Sequence, residues 1–161
     1  MKDSAYKLTV QDVMSKDVVT VSPDESLREC IQRMIDNRVA SLPVLGRHNE
    51  CIGIISSSDV LEIAQEIDED LSDLEGADLM ASRWLVARLS SETGNRRVAE
   101  VMSQDVLTVL ADTRLSKAAR EMLRNGVHRL PVVDSKDRVV GIVSTTDILA
   151  AFVDADPEQP D

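Results

Sequence analysis

Gly53-Ile-Ile-Ser-Ser-Ser-Asp59 and Gly141-Ile-Val-Ser-Thr-Thr-Asp147 decide how this chain reads, because each is an apolar β-rich run that turns into a helix and the two lie 88 residues apart. Extended in both directions, Val10–Ala64 and Val98–Phe152 align without a gap, with 21 of 55 positions identical. The echo runs from Val10-x-x-Val-Met-Ser15 and Val98-x-x-Val-Met-Ser103 through Thr20-Val21 and Thr108-Val109 to Leu42-Pro43-Val44 and Leu130-Pro131-Val132. A gapless duplication predicts two similar units related by a pseudo-two-fold axis, with paired clefts at the seam.

Within each copy the pattern reads strand, helix, strand, strand, helix. Val18–Val21 and Val106–Val109 are β-branched runs. Leu27, Ile31, Met34 and Ile35 fall on one helical face, as do Leu115, Ala119, Met122 and Leu123. Pro23 and Asp24 suit the start of the first helix, and Asn37 and Asn125-Gly126 stop the two helices, since these residues tolerate left-handed backbone. Leu42–Leu45 with Cys51–Ile55, and Leu130–Val133 with Val139–Val143, read as hairpins around polar turns, Pro43 and Pro131 favouring a strand start. The fold class expected is α+β: βαββα repeats at 8–64 and 98–153, an acidic, mostly helical connector at 65–97 that carries Trp84, and a disordered tail at 154–161.

Composition narrows the functions. Eighteen basic against 29 acidic residues give a net charge of −11, which argues against a phosphate-backbone partner such as DNA. Aromatics make up 2% of the chain, so Val, Ile, Leu, Met and Ala must fill the interior. Cys30 and Cys51 stand in apolar contexts without a CxxC or histidine cluster, the pattern of buried reduced thiols. No apolar run nears the roughly 20 residues of a membrane helix and no secretory signal is visible, so the expectation is a cytoplasmic protein with no membrane partner. Gly-x-Ser-x-Gly, Walker A and His-Glu-x-x-His patterns are missing, and two histidines offer little acid–base chemistry, so no catalytic residues and no metal are expected.

The residues that could bind a ligand cluster at the strand-to-helix junctions. Asp59 and Asp147 could each accept two hydrogen bonds from a ribose diol, with neighbouring hydroxyls adding contacts. The same spacing also makes a capping box, with Ser144 as the cap and Asp147 three residues on. His128-Arg129 stands where the first copy has Ala40-Ser41, and an imidazole beside a guanidinium suits a phosphate. Met14 and Met102 read as core residues.

Taken together, these duplicated motifs resemble a tandem pair of cystathionine β-synthase (CBS) domains, a Bateman module, over about 110 of the 161 residues. The resemblance implies two βαββα units packed sheet to sheet, clefts that commonly take adenosine-containing ligands, and a homodimer formed through helices. It implies ribose-binding roles for Asp59 and Asp147, with hydroxyls at Ser56, Ser58, Ser144 and Thr146. Gly126–Asp134 is similar to a segment of the nucleotide-sensing subunit of AMP-activated protein kinase, which implies phosphate contacts for His128 and Arg129. Thr20, Thr108, Val39, Ala40 and Val127 match positions that flank adenine and ribose. The leading expectation is therefore a stand-alone regulatory module binding AMP, ADP or ATP, ahead of S-adenosylmethionine or NAD, and signalling to an effector protein or through assembly. The rival is a ligand-independent adaptor that uses the pair as a dimerisation scaffold; an enzyme is the third option.

Overall fold

A computed structural model describes residues 4–67 and 94–154 of the chain. The acidic connector beyond Ile67, Trp84 with it, and the tail beyond Asp154 lie outside the described residues. In chain order the elements are α1 (Ser4–Lys7), a 3-10 turn (Val10–Asp12), α2 (Leu27–Asn37), β1 (Ser41–Leu45), β2 (Cys51–Ser56) and α3 (Ser57–Ile67). A second 3-10 turn (Val98–Glu100) precedes β3 (Val109–Leu110), α4 (Leu115–Asn125), β4 (Arg129–Val133), β5 (Val139–Ser144) and α5 (Thr145–Asp154).

Each repeat's core is built by periodicity. On α2, Leu27, Cys30, Ile31 and Met34 are buried, the i, i+3, i+4, i+7 stripe of an amphipathic helix; on α4 the buried set is Leu115, Ala118 and Met122. Ser26 caps α2 through a reciprocal box with Glu29, at 2.9 Å and 3.2 Å. The left-handed stop falls on Arg38 (φ 53°) in the first repeat and on Gly126 (φ 64°) in the second. Asn37, expected in that place, stays helical, and its side-chain amide donates back to the Arg33 carbonyl at 2.8 Å; Asn125 does the same to Glu121.

β1 and β2 are neighbours, and a five-residue connection between them fits only an antiparallel pair. In the second repeat β4 pairs antiparallel with β5 and parallel with β3. The opening strands are shorter than the sequence suggests: a single parallel bridge from Val21 to Val44, and Val109–Leu110 alone. Just upstream the chain turns tightly, Val18 N–H donating to Lys16 and Val106 N–H to Gln104, both at 3.1 Å, which takes those residues out of the ladder. Pro43 and Pro131 sit inside their strands, not at the start. Val21 N–H donates to the Pro43 carbonyl and Leu45 N–H to Val21, so the amide that proline lacks would have to reach Val19, ahead of the paired region.

The compact units do not coincide with the sequence repeats. One unit takes residues 4–18, 47–51 and 107–154; the other takes 19–46, 52–67 and 94–106. The opening Val-x-x-Val-Met-Ser of each repeat therefore completes the core and sheet of the other repeat. Val10 is fully buried with Leu115, Met122, Leu130 and Val143, and Val98 is fully buried with Leu27, Ile31, Leu42 and Ile55. Val10 N–H donates to Thr113 at 2.8 Å and Val98 N–H to Glu25 at 2.9 Å, the same bond in both units. Ser15 then pairs with Ile142, and Ser103 with Ile54, through reciprocal backbone bonds of 2.9–3.0 Å. Inside the first of these units, Cys51 N–H donates to Asp137 and Val139 N–H to Asn49, joining the two hairpin turns.

This exchange explains the glycine of each Gly-Ile-x-Ser motif. A Cβ on Gly141 would stand 2.5 Å from the Met14 sulfur and 3.0 Å from the Ser15 carbonyl. A Cβ on Gly53 would stand 2.7 Å from the Met102 sulfur and 3.0 Å from Ser103. Met14 and Met102 are half-buried against their clusters, as core residues. Gly141→Ala is expected to lower unfolding stability by about 1–3 kcal/mol in urea titrations, and Met14→Ala in that background to recover part of the loss.

Cys30 is fully buried, and burial pushes its thiol up to about 12. The thiolate is the reactive form, so Cys30 should resist a thiol reagent at pH 8 in the folded protein and react once the chain is denatured, a difference read by mass spectrometry.

Candidate functional site

Both strand-to-helix junctions form the same box. In the second repeat Asp147 Oδ2 accepts from Ser144 N–H at 2.7 Å and from the Ser144 hydroxyl at 2.8 Å, while Asp147 N–H donates to Ser144 Oγ at 3.1 Å. In the first repeat the Ser56–Asp59 distances are 2.6, 2.9 and 3.3 Å. The capping role is thus real, and all of its bonds to the carboxylate fall on Oδ2. None of them uses Oδ1, so cap and ligand can share one half-buried side chain.

Topology brings most of the other candidates to one end of each unit's sheet. The hairpin returns the end of β2 to the start of β1, while the parallel bridge from Val21 to Val44 sets Thr20-Val21 beside Pro43-Val44, further along the same strand. Ser57 N–H donates to the Ala40 carbonyl at 2.8 Å, tying Val39–Ala40 to the first turn of α3. Ser58, on that turn, is exposed. In the other unit Thr145 N–H donates to the His128 carbonyl at 3.0 Å, and Arg129 faces Ser144 directly across the antiparallel ladder. Val127 is half-buried; His128, Arg129 and Thr146 are exposed; Thr108 immediately precedes β3. The repeats differ here, because Ala40-Ser41 offers no cation where His128-Arg129 offers two donors.

One group that meets a candidate residue of the first repeat is not signalled by its motifs. Arg33 NH1 donates to the Thr20 carbonyl at 2.6 Å, and its fork grips Glu25 at 2.6 and 3.1 Å. The hydrogen bond to Glu25 holds the guanidinium above its usual range. The signal available was a difference between copies, since Glu121 and Thr113 stand at the matching positions. A shallow open groove lies along α2, lined by Arg28, Glu29, Gln32, Arg33, Asp36 and Asn37; of these Arg33 reaches the candidate residue Thr20. Among the described residues no group of three or more His, Cys, Asp and Glu could hold a metal ion, and no helix is long and apolar enough to cross a membrane.

The CBS domain profile matches residues 10–66 and 98–154. The chain belongs to the CBS domain family. The protein MJ1426 of Methanocaldococcus jannaschii, itself uncharacterised, is 30% identical over 155 residues, covering 91% of this chain and 92% of that protein. Among solved structures, CBSX2 in complex with AMP is 26% identical with a TM-score of 0.70, covering 91% of this chain and 96% of CBSX2. The CBS domain pair of MJ0100, in complex with 5′-methylthioadenosine and S-adenosyl-L-methionine, is 25% identical with a TM-score of 0.66 and covers 92% and 98%. The expected α+β CBS fold, with two repeats of strands and helices, is borne out.

The same box recurs away from this site. Thr9 N–H donates to Asp12 at 2.7 Å and Ser26 N–H to Glu29 at 2.9 Å, and these bonds hold both carboxyls below their usual range. The Arg138 guanidinium does the same for Asp134. Carboxyls lowered in the folded state stabilise it above their unfolded range and lose that contribution as pH falls through the folded one. Acid titration followed by circular dichroism should therefore show stability level near neutrality and falling below about pH 4.

Proposed function

We propose that this CBS pair is a regulatory module of the cytoplasm that binds an adenosine-containing ligand and passes its occupancy on as a change of shape or assembly. AMP, ADP and ATP come first as ligands, S-adenosylmethionine and NAD second. One observation carries the reading. In each repeat a carboxylate stands at the strand-to-helix junction with Oδ1 outside the cap, in a fold whose solved relatives hold AMP or S-adenosyl-L-methionine with 5′-methylthioadenosine.

Asp59 and Asp147 would accept from ribose hydroxyls, and Ser56, Ser58, Ser144 and Thr146 would add hydroxyl contacts. His128 and Arg129 would take a phosphate, while Thr20, Thr108, Val39, Ala40 and Val127 would flank base and sugar. Such a ligand signals only through a difference in its affinity for two arrangements of the protein. The role asks for no reacting group, so the reading is of a regulator and not an enzyme.

A homodimer fits the exposed apolar side chains of one unit. Leu149 (65% exposed) and Val153 (56%) share a stripe of α5, Leu123 on α4 is 83% exposed, and Tyr6 packs edge-on against Phe152 at 5.5 Å. An assembly through these helices would also serve the adaptor reading, in which an effector protein binds regardless of ligand. Light scattering should find a dimer that Leu149→Asp converts to a folded monomer.

Calorimetry with AMP, ATP, S-adenosylmethionine and NAD tests the ligand. Arg129→Ala should weaken AMP about ten- to a hundredfold, the effect of losing a charged hydrogen-bond partner, and leave adenosine unchanged. Absence of heat from every compound on folded protein would overturn the reading in favour of the adaptor.

A further inference from the structure

The geometry points to Arg33 as a positioning residue of the first repeat's ligand site, acting through the Thr20 peptide and having no counterpart in the second repeat. This rests on the adenosine-ligand reading above.

The peptide joining Thr20 to Val21 is held at both ends. Its carbonyl accepts from Arg33 NH1 at 2.6 Å, and its N–H donates to the Pro43 carbonyl at 3.1 Å. Arg33 is itself immobilised, because Glu25 takes its two terminal nitrogens at 2.6 and 3.1 Å. Glu25 Oε2 also accepts Ser22 N–H at 2.6 Å, and the Glu25 carbonyl accepts Val98 N–H at 2.9 Å. One half-buried ion pair thus fixes the backbone on both sides of Val21, beside Pro43-Val44 of the strand that starts just after Ala40. Fork geometry matters here, since the guanidinium meets Glu25 and Thr20 with two nitrogens where an ammonium would have to serve both from one.

The second repeat cannot build this clamp. Glu121 occupies the place of Arg33 and Thr113 that of Glu25. A carboxylate cannot donate to the Thr108 carbonyl, and Glu121 instead faces Arg124 at 3.7 Å and accepts from Asn125. The two sites therefore divide two properties. The first has a clamped peptide and no cation at Ala40-Ser41; the second has His128-Arg129 and, among the described residues, no side chain clamping the Thr108 peptide. Backbone ordered in advance lowers the entropy lost on binding, so affinity at the first site depends on Arg33 and affinity at the second does not.

The test uses the full chain in two backgrounds, Asp147→Ala to leave the first site and Asp59→Ala to leave the second. AMP and 5′-methylthioadenosine are the probes, read by calorimetry. Arg33→Met should weaken the first-site probe about five- to thirtyfold and leave the second site within twofold, with Arg33→Lys falling between wild type and Met. Hydrogen exchange without ligand should show residues 19–22 protected in wild type and released in Arg33→Met. Glu25→Gln, which keeps the Arg33 bond to Thr20 but weakens its support, should give a smaller change in the same direction should Arg33→Met not fold. A merely structural residue would lower both sites together or neither, and either result overturns the inference while leaving the ligand reading intact. Failure of both probes to bind wild type would overturn the two together.

Discussion

A methionine sulfur resting on a bare glycine backbone is the contact on which the rest of the structure depends. Met14 can lie over Gly141, and Met102 over Gly53, only because no Cβ stands in the way. That close approach lets Ser15 and Ser103 reach the edge strand and form their reciprocal backbone bonds. It also seats Val10 and Val98 at full burial, where each fills a core that its own repeat does not own. Neither repeat, taken as a stretch of sequence, contains all the residues of its own sheet. The duplication is linear in the chain but reciprocal in space.

This exchange bears directly on the candidate site. The chain leaves the borrowed segment through a tight turn at Lys16–Val18 or Gln104–Val106 and at once forms Thr20-Val21 or Thr108-Val109. The residues that would line base and sugar therefore follow directly on those that complete the neighbouring core. In the first repeat the Arg33–Glu25 pair holds the Thr20 carbonyl directly.

The dual use of Asp59 and Asp147 follows from simple counting of lone pairs. Closing the first turn of a helix needs one carboxylate oxygen, and a carboxylate has two. Thr9–Asp12 and Ser26–Glu29 show the same box where no ligand is in question, so the box by itself says nothing about binding. What distinguishes the two aspartates is their surroundings: a neighbouring strand start, bonded through Ala40 or His128, in a strand that pairs in parallel with the run carrying Thr20 or Thr108.

The linear pattern was enough to define the repeats, the helical faces of α2 and α4, the hairpins and the candidate aspartates. These rest on local periodicity and on short-range hydrogen bonds, which a strand or helix satisfies within a few residues. It was not enough to say which repeat owns Val10 and Val98, why the glycines recur, or where Arg33 points. It also misplaced the two prolines, because a place inside a strand depends on which backbone groups find partners in the neighbouring strand. Those choices belong to the tertiary structure for one reason: they join groups far apart along the chain, whose meeting is decided by packing and not by neighbouring residue types.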